Sequence, residues 1–210
     1  MRVHAIIDAD ASTSASAARL ADELGFDGVT TTETTSDPFL PLVPAAGATT
    51  DGLVGTAIAV ALPRSPLTLA TLGHDLQRLS GGRFWLGLGS QVRAHIERRF
   101  SAPWDRPAAR MRDMVLAVRA IWRAWQHGER LAYEGEFYRH TLMPPMFDPG
   151  PTGFADPPVV LAAVGPRMTS VAAEVADGML VHGFTTPSYL REVVAPQFRE
   201  TATAAGRDPS

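Results

Sequence analysis

The chain contains no cysteine, so disulfides, thiolate metal sites and cysteine nucleophiles are excluded. Lysine is missing as well. All 19 basic residues are arginine, which removes Schiff-base chemistry and the phosphate-gripping lysine of a Walker-type loop. No stretch approaches the ~18 consecutive apolar residues of a membrane span. The opening MRVHAIIDAD reaches Asp8 after a short apolar run, unlike a secretory leader. The six histidines show no metal-ligand spacing. His95-Ile96-Glu97 copies the H-x-E of zinc deaminases without the cysteines that chemistry requires. A net charge of −3 argues against non-specific nucleic-acid binding. The expectation is a cytoplasmic protein that acts on a small molecule and takes neither nucleic acid nor membrane as partner.

What remains is 210 residues with 45% hydrophobic and 20% charged content, enough for a single sizeable core. Val3–Ile7 is a short β-rich run, followed by a helix over 12–24 that Gly25 ends. Val29–Thr32 is β-branched, and Val54–Ala61 is a third apolar run. Ser65-Pro66 is a cap followed by proline at the first helical position, and leucines 69, 72, 76 and 79 then recur at helical spacing. SGGRFWLGLGS (80–90) is a fourth strand with an excess of glycine at its end. The longest helix covers 105–126, with Trp122 and Trp125 on its apolar stripe and Gly128 as its stop. Strands at 158–163 and 178–181 flank a helix over 168–176, and a last helix opens at Thr186-Pro187 with an interruption at Pro196.

Strands alternating with helices mean βαβ units and a parallel sheet. Six such units are present, whereas a closed (β/α)₈ barrel has eight. The fold expected is therefore a single α/β TIM-barrel domain over 1–210, incomplete at its C-terminal side. A doubly wound open sheet is the alternative. The proline-rich excursion 129–158 is expected to be an inserted lid. In parallel α/β folds ligands bind at the carboxyl ends of strands. Those ends carry Asp8, Glu33-Thr34, Ala57-Ile58, Gly87–Gln91, Val164–Arg167 and His182-Gly183. Two of these sets pair glycine with a following helix, which suits an anionic ligand lying against backbone N–H groups.

At these residues the chain resembles the bacterial-luciferase-like flavin and deazaflavin oxidoreductases. The similarity rests on AIAVALPRSPLTLATLGHDLQRLSGGRFWLGLGSQV, AHIERRFSAPWDRP and VLAAVGPRMTSVAAEVADGMLVHGF, and runs across nearly the whole chain. AHIERRF points to an actinobacterial branch described as coenzyme F-420-dependent. The resemblance implies a TIM barrel and hydride transfer between a deazaflavin (coenzyme F-420) and an organic substrate. It implies that Glu33 and Thr34 stand beside the isoalloxazine-type ring, with Glu33 as catalytic candidate. Thr34 replaces the family's histidine. It implies that Ala57-Ile58 form a bulge, often with a non-prolyl cis peptide, that props the ring from behind. It further implies that Gly89, Ser90 and Gln91 meet the ribityl chain and phosphate, with Gln91 in place of a glycine, and that Val164, Gly165 and Pro166 form the second phosphate-side loop. A small-molecule substrate and a homodimer fit the same family, and no metal is expected.

Plainer readings stand beside these. Glu33 could cap a helix, and His182 is set aside as a structural histidine. The eight arginines between 93 and 123 read as a solvated helical face. An FMN-dependent monooxygenase of the same superfamily and a catalytically inert cofactor-binding fragment remain open. Six strands cannot close at an eight-stranded barrel's tilt and shear, so the first and sixth keep unpaired apolar edges. Exposing even ~300 Å² of apolar surface forfeits ~7 kcal/mol. Residues 1–210 alone are therefore expected to self-associate or fold only in part. Size-exclusion chromatography with thermal unfolding checks this, and a cooperatively melting monomer would contradict it.

Overall fold

Six parallel strands lie side by side in the order in which the chain makes them. They are β1 (His4–Ile6), β2 (Gly28–Thr31), β3 (Leu53–Thr56), β5 (Phe84–Gly89), β8 (Val159–Ala163) and β9 (Gly178–Val181), and β4 (Ala59–Val60) takes over from β3 in pairing with β5. The computed structural model describes residues 1–7 and 10–208, so Asp8 lies outside the described residues. A doubly wound sheet reverses its strand order at a switch point. This order never reverses, so the sheet is an arc of a (β/α) barrel, a half-barrel whose edges are β1 and β9.

The helices are α1 (Ser14–Glu23), α2 (Leu42–Ala48), α3 (Pro66–Leu79), α4 (Arg93–Arg98), α5 (Pro107–His127), α6 (Pro166–Val175), α7 (Pro187–Tyr189) and α8 (Ala195–Ala204). Ser65 Oγ accepts from Thr68 N at 3.1 Å and Pro66 takes the first helical position, so α3 starts where its cap predicts. Gly25 and Gly128 end α1 and α5 at φ 79° and 64°, a region open to glycine without penalty. Trp122 is buried and donates from Nε1 to Ala70 O at 2.9 Å, which fastens α5 to α3.

Three features depart from the sequence reading. Pro44 and Gly47 argue against a helix at 42–48, yet α2 forms there. Pro44 falls in the first turn, where a missing N–H costs nothing, and Leu42, Ala45 and Ala46 are buried. Arg83, at the start of β5, donates to Ala46 O at 2.9 Å and Thr49 O at 3.2 Å, so a side chain from the sheet satisfies the helix's last carbonyls. α6 begins at Pro166 rather than 168 because proline is well suited to a first turn. The final helix runs on through Pro196, and its irregularity is the π-helical stretch Leu190–Val194 just before it.

The excursion 129–158 folds back along the helices it follows. Its hairpin, β6 (Tyr133–Glu134) with β7 (Arg139–His140), is bound to the buried Asp113 of α5. Asp113 Oδ2 accepts from Phe137 N at 2.6 Å and Tyr138 N at 3.0 Å, and Oδ1 accepts from Tyr133 Oη. Burial, with the Asp113 carboxylate adding to it, pushes the Tyr133 phenol above its ordinary range. A side chain at Gly135 would collide with Asp113 Oδ1, since its Cβ would lie 1.9 Å away. Arg106 and Arg110 lie over the Phe137 ring at 4.7 and 4.5 Å. Lower down, His74 Nε2 bonds to Gly150 O at 3.0 Å and Gln77 Nε2 donates to Ala155 O at 2.7 Å, so the proline-rich part is held on α3. The arginines read as a solvated face also join elements: Arg112 pairs with Glu174 and Arg119 with Asp177, both bridging from α5 to the α6 side.

Asp113→Ala leaves two backbone N–H groups without their acceptor and leaves the Tyr133 phenol only the 3.2 Å bond to the backbone carbonyl of residue 113. The change is expected to cost roughly 3–5 kcal/mol and to open 133–140 to limited proteolysis before global unfolding. Equal protease resistance in the variant would show that the hairpin is held elsewhere.

Candidate active site

Parallel pairing throughout puts every strand's carboxyl end on one rim, and the predicted site residues lie along it. The rim is organised by a one-residue bulge. Val54 pairs with Phe84 and Gly55 with Trp85, an offset of 30, whereas Ala59 pairs with Leu88 and Val60 with Gly89, an offset of 29. One extra residue therefore sits between β3 and β4. The Ala57–Ile58 peptide within this segment is cis. Ala57 and Ile58 are half-buried, while Val54–Thr56 before them and Ala59–Val60 after them are buried.

A bulge in the middle of a sheet strips backbone groups of ladder partners, and buried groups of that kind need replacements. Glu33 supplies them. Its N–H donates to Ile58 O at 3.3 Å, and its Oε2 accepts from Val60 N at 2.7 Å. The same Oε2 accepts from Arg64 Nη1 at 2.7 Å, and Nη1 also donates to Val60 O at 2.7 Å. The other arm of the guanidinium, Nη2, meets Asp37 Oδ2 at 2.7 Å, and the cation lies 5.6 Å from the centre of the Phe39 ring. The Glu33 side chain is 6% exposed, so its carboxylate is turned into the loop behind the bulge.

The glycines of the fourth strand serve the protein's own packing first. A Cβ at Gly87 would lie 1.8 Å from Thr56 O and 2.8 Å from Trp85 Cζ3, and one at Gly55 would lie 2.3 Å from Trp85 Cε2. Trp85 thus lies across both glycines on the inner face, which also lines a cavity of about 550 Å³ with His4, Val160 and Leu180. Gly89 holds space for Ile58, whose Cδ1 would be 2.7 Å from an added Cβ. Beyond it, Ser90 Oγ donates to Gln91 O at 3.2 Å, and Gln91 turns the chain at φ 61°. Thr34 is exposed and its carbonyl accepts from Arg99 Nη2 at 2.5 Å, which ties the loop after β2 to α4.

On the neighbouring strand, Val164, Gly165 and Pro166 are exposed where β8 gives way to α6. A side chain at Gly165 would meet nothing within 4 Å, so the space above it is open. Arg167 makes no ion pair among the described residues, and the first turn of α6 has no acid. Two cavities flank this corner. One of about 390 Å³ is lined by Val164, His182, Phe184 and Tyr189, and another, about 790 Å³, lies outside the arc between α5 and α6. His182 is exposed at the rim, and its Nδ1 accepts from Phe184 N at 3.2 Å. Among the described residues no group of three or more His, Asp or Glu side chains could hold a metal ion, and no helix is long and apolar enough to cross a membrane.

The family profile of the luciferase-like monooxygenases matches residues 5–210. The chain belongs to this family. An uncharacterized protein of Mycobacterium tuberculosis is 51% identical over 196 residues, which cover 93% of this chain and 58% of that protein. A second protein of that organism, provisionally described as a coenzyme F-420-dependent oxidoreductase, is 32% identical over 173 residues, 76% of this chain and 48% of its own. The crystal structure of a monooxygenase from Streptomyces bottropensis superposes with a TM-score of 0.77 at 27% identity, covering all of this chain and 68% of that one. The chain thus spans only about half the length of these two mycobacterial relatives.

For this luciferase-like protein the sequence pointed to the rim but missed Arg64, Asp37 and Trp85. Arg64 had a readable signal, because it sits between a strand end and the Ser65-Pro66 helix start, where rim side chains arise. Trp85 had none, since its direction depends on glycines in a neighbouring strand. Gly89→Ala is expected to push Ile58 off its seat and cost roughly 1–2 kcal/mol. The cost should shrink in an Ile58→Ala background, because the clash is removed. Urea unfolding of the four proteins measures this, and additive costs would contradict it.

Proposed function

We propose that this protein is an oxidoreductase that binds the deazaflavin coenzyme F-420 along the rim and moves a hydride between it and an organic small-molecule substrate. The observation that carries the reading is the bulge at 57–60, whose half-buried Ala57 and Ile58 stand next to Gly89–Gln91 and one strand away from Val164–Pro166. When bound, the coenzyme supplies the hydride chemistry, and the protein supplies position and a sheltered surface.

The residues fit such a group. Ile58, seated on Gly89, offers an apolar shelf of the kind a flat ring system needs, with Ala57 beside it. Gly89, Ser90 and Gln91 on one side and Val164, Gly165 and Pro166 on the other would bracket the polar chain and phosphate. The open space above Gly165, the start of the ten-residue α6 and the unpaired Arg167 together favour an anion there. Thr34 would approach the ring's edge from the loop after β2. The deazaflavin choice is supported by the similarity to the relative described as F-420-dependent. The similarity to the Streptomyces monooxygenase supports monooxygenation as the second reading.

Fluorescence titration of the intact protein separates the two. Oxidised deazaflavin is expected to bind at least about ten times tighter than FMN, a difference of ~1.4 kcal/mol. Equal or reversed affinities move the assignment to the FMN-dependent monooxygenase, and binding of neither leaves a non-catalytic fold.

A further inference from the structure

We infer that Glu33 is a positioning residue rather than an acid–base group, and that it works with Arg64 as a brace that fixes the ligand-facing bend at 58–60. The inference deepens the proposed function and rests on it only for what the bend faces. The brace itself follows from the bulge. An extra residue in the strand leaves Ile58 O and the Val60 peptide groups outside the regular ladder, and each is taken up by one of these two side chains or by Glu33's own backbone. Glu33 Oε2 already holds two donors at 2.7 Å, one of them a guanidinium, and the side chain is 6% exposed. The carboxylate oxygen is thus committed to one backbone N–H and one guanidinium, both on the protein's own side of the bend. With its side chain 6% exposed, Glu33 presents almost no surface to the rim.

Arg64 makes the brace longer-reaching. The planar fork joins Glu33 through one nitrogen and Asp37 through the other, so the loops after β2 and β4 are clipped together. Because Ile58 is seated on Gly89, a shift of the bend also moves the apolar shelf relative to β5. Two charged groups set back from the ligand surface thereby determine where that surface lies.

The test uses Glu33→Ala, Glu33→Gln, Arg64→Ala and Arg64→Lys in the intact protein, with two readouts. Amide exchange at Val60 reports the brace without any ligand. Oxidised deazaflavin and FMN are the probes for affinity. Glu33→Ala and Arg64→Ala are each expected to speed Val60 exchange and weaken the bound coenzyme by about tenfold or more. The double alanine variant should be little worse than either single one, because the groups act together. Glu33→Gln should recover most of the Val60 protection lost in Glu33→Ala, since the amide oxygen still accepts from Val60 N–H. Arg64→Lys should recover less than the wild-type affinity, because one ammonium cannot span both carboxylates. The proposal is overturned if Val60 exchange is unchanged in Glu33→Ala, or if Glu33→Gln loses coenzyme as fully as Glu33→Ala while Val60 stays protected. If the wild-type protein binds neither probe, the proposed function fails, and Val60 exchange still decides the brace. Should Glu33→Ala not fold, Arg64→Ala and Glu33→Gln carry the same comparison.

Discussion

Between Thr56 and Gly87 two strands approach so closely that Gly87 could carry no side chain without moving the sheet. Thr56 Oγ1 donates to Gly87 O at 2.7 Å and accepts from Gly87 N at 3.0 Å, and a Cβ on Gly87 would fall 1.8 Å from Thr56 O. This contact lies at the point where the β3–β5 register is about to change. Below it the offset is 30, above it 29, and the extra residue is forced out just after the threonine. The same missing side chains let Trp85 lie flat on the inner face, and they hold the bend at 57–60 against β5. The shape of the rim therefore starts from one hydroxyl and one absent methyl group.

The bend then has to be supported in a sheet whose neighbours are already paired. A carboxylate alone behind the sheet would be costly, because a buried charge needs a partner. Arg64 is that partner, and it also reaches a second acid and a phenyl ring. The rim consequently has two electrostatic halves. On the side with Glu33, Arg64 and Asp37, one guanidinium is shared between two carboxylates. On the side with Gly165 and the start of α6, the first turn has no acid and Arg167 makes no ion pair among the described residues.

Helix α5 plays the corresponding role outside the arc. Buried Trp122 fastens it to α3, Arg112 and Arg119 fasten it to the α6 side, and Asp113 carries the β6–β7 hairpin. A buried carboxylate that organises backbone N–H groups thus appears twice, behind the rim bulge and beneath the hairpin. In each place it completes a segment that regular pairing leaves unsatisfied.

The amino-acid sequence by itself determined the elements whose signals are local. Ser65-Pro66 started α3 where expected, Gly25 and Gly128 stopped α1 and α5, and the apolar runs became parallel strands because helices separated them. The rim was legible too, since parallel strands put all their carboxyl ends on one side, and the bend at Ala57–Ile58 was legible through family resemblance. Tertiary structure alone decided what the side chains at those positions do. Glu33 was placed beside the ring by resemblance, and a strand-register change brings Val60 N and Arg64 to its carboxylate. The glycines of β5 also make room for the protein's own side chains, Trp85 against Gly87 and Ile58 against Gly89. The helix at 42–48 formed against its proline and glycine because burial and Arg83 outweighed propensity. Those outcomes rest on contacts between residues about 30 positions apart, as between Glu33 and Arg64 or Thr56 and Gly87. Local pattern carries no information about such contacts until the strands have paired.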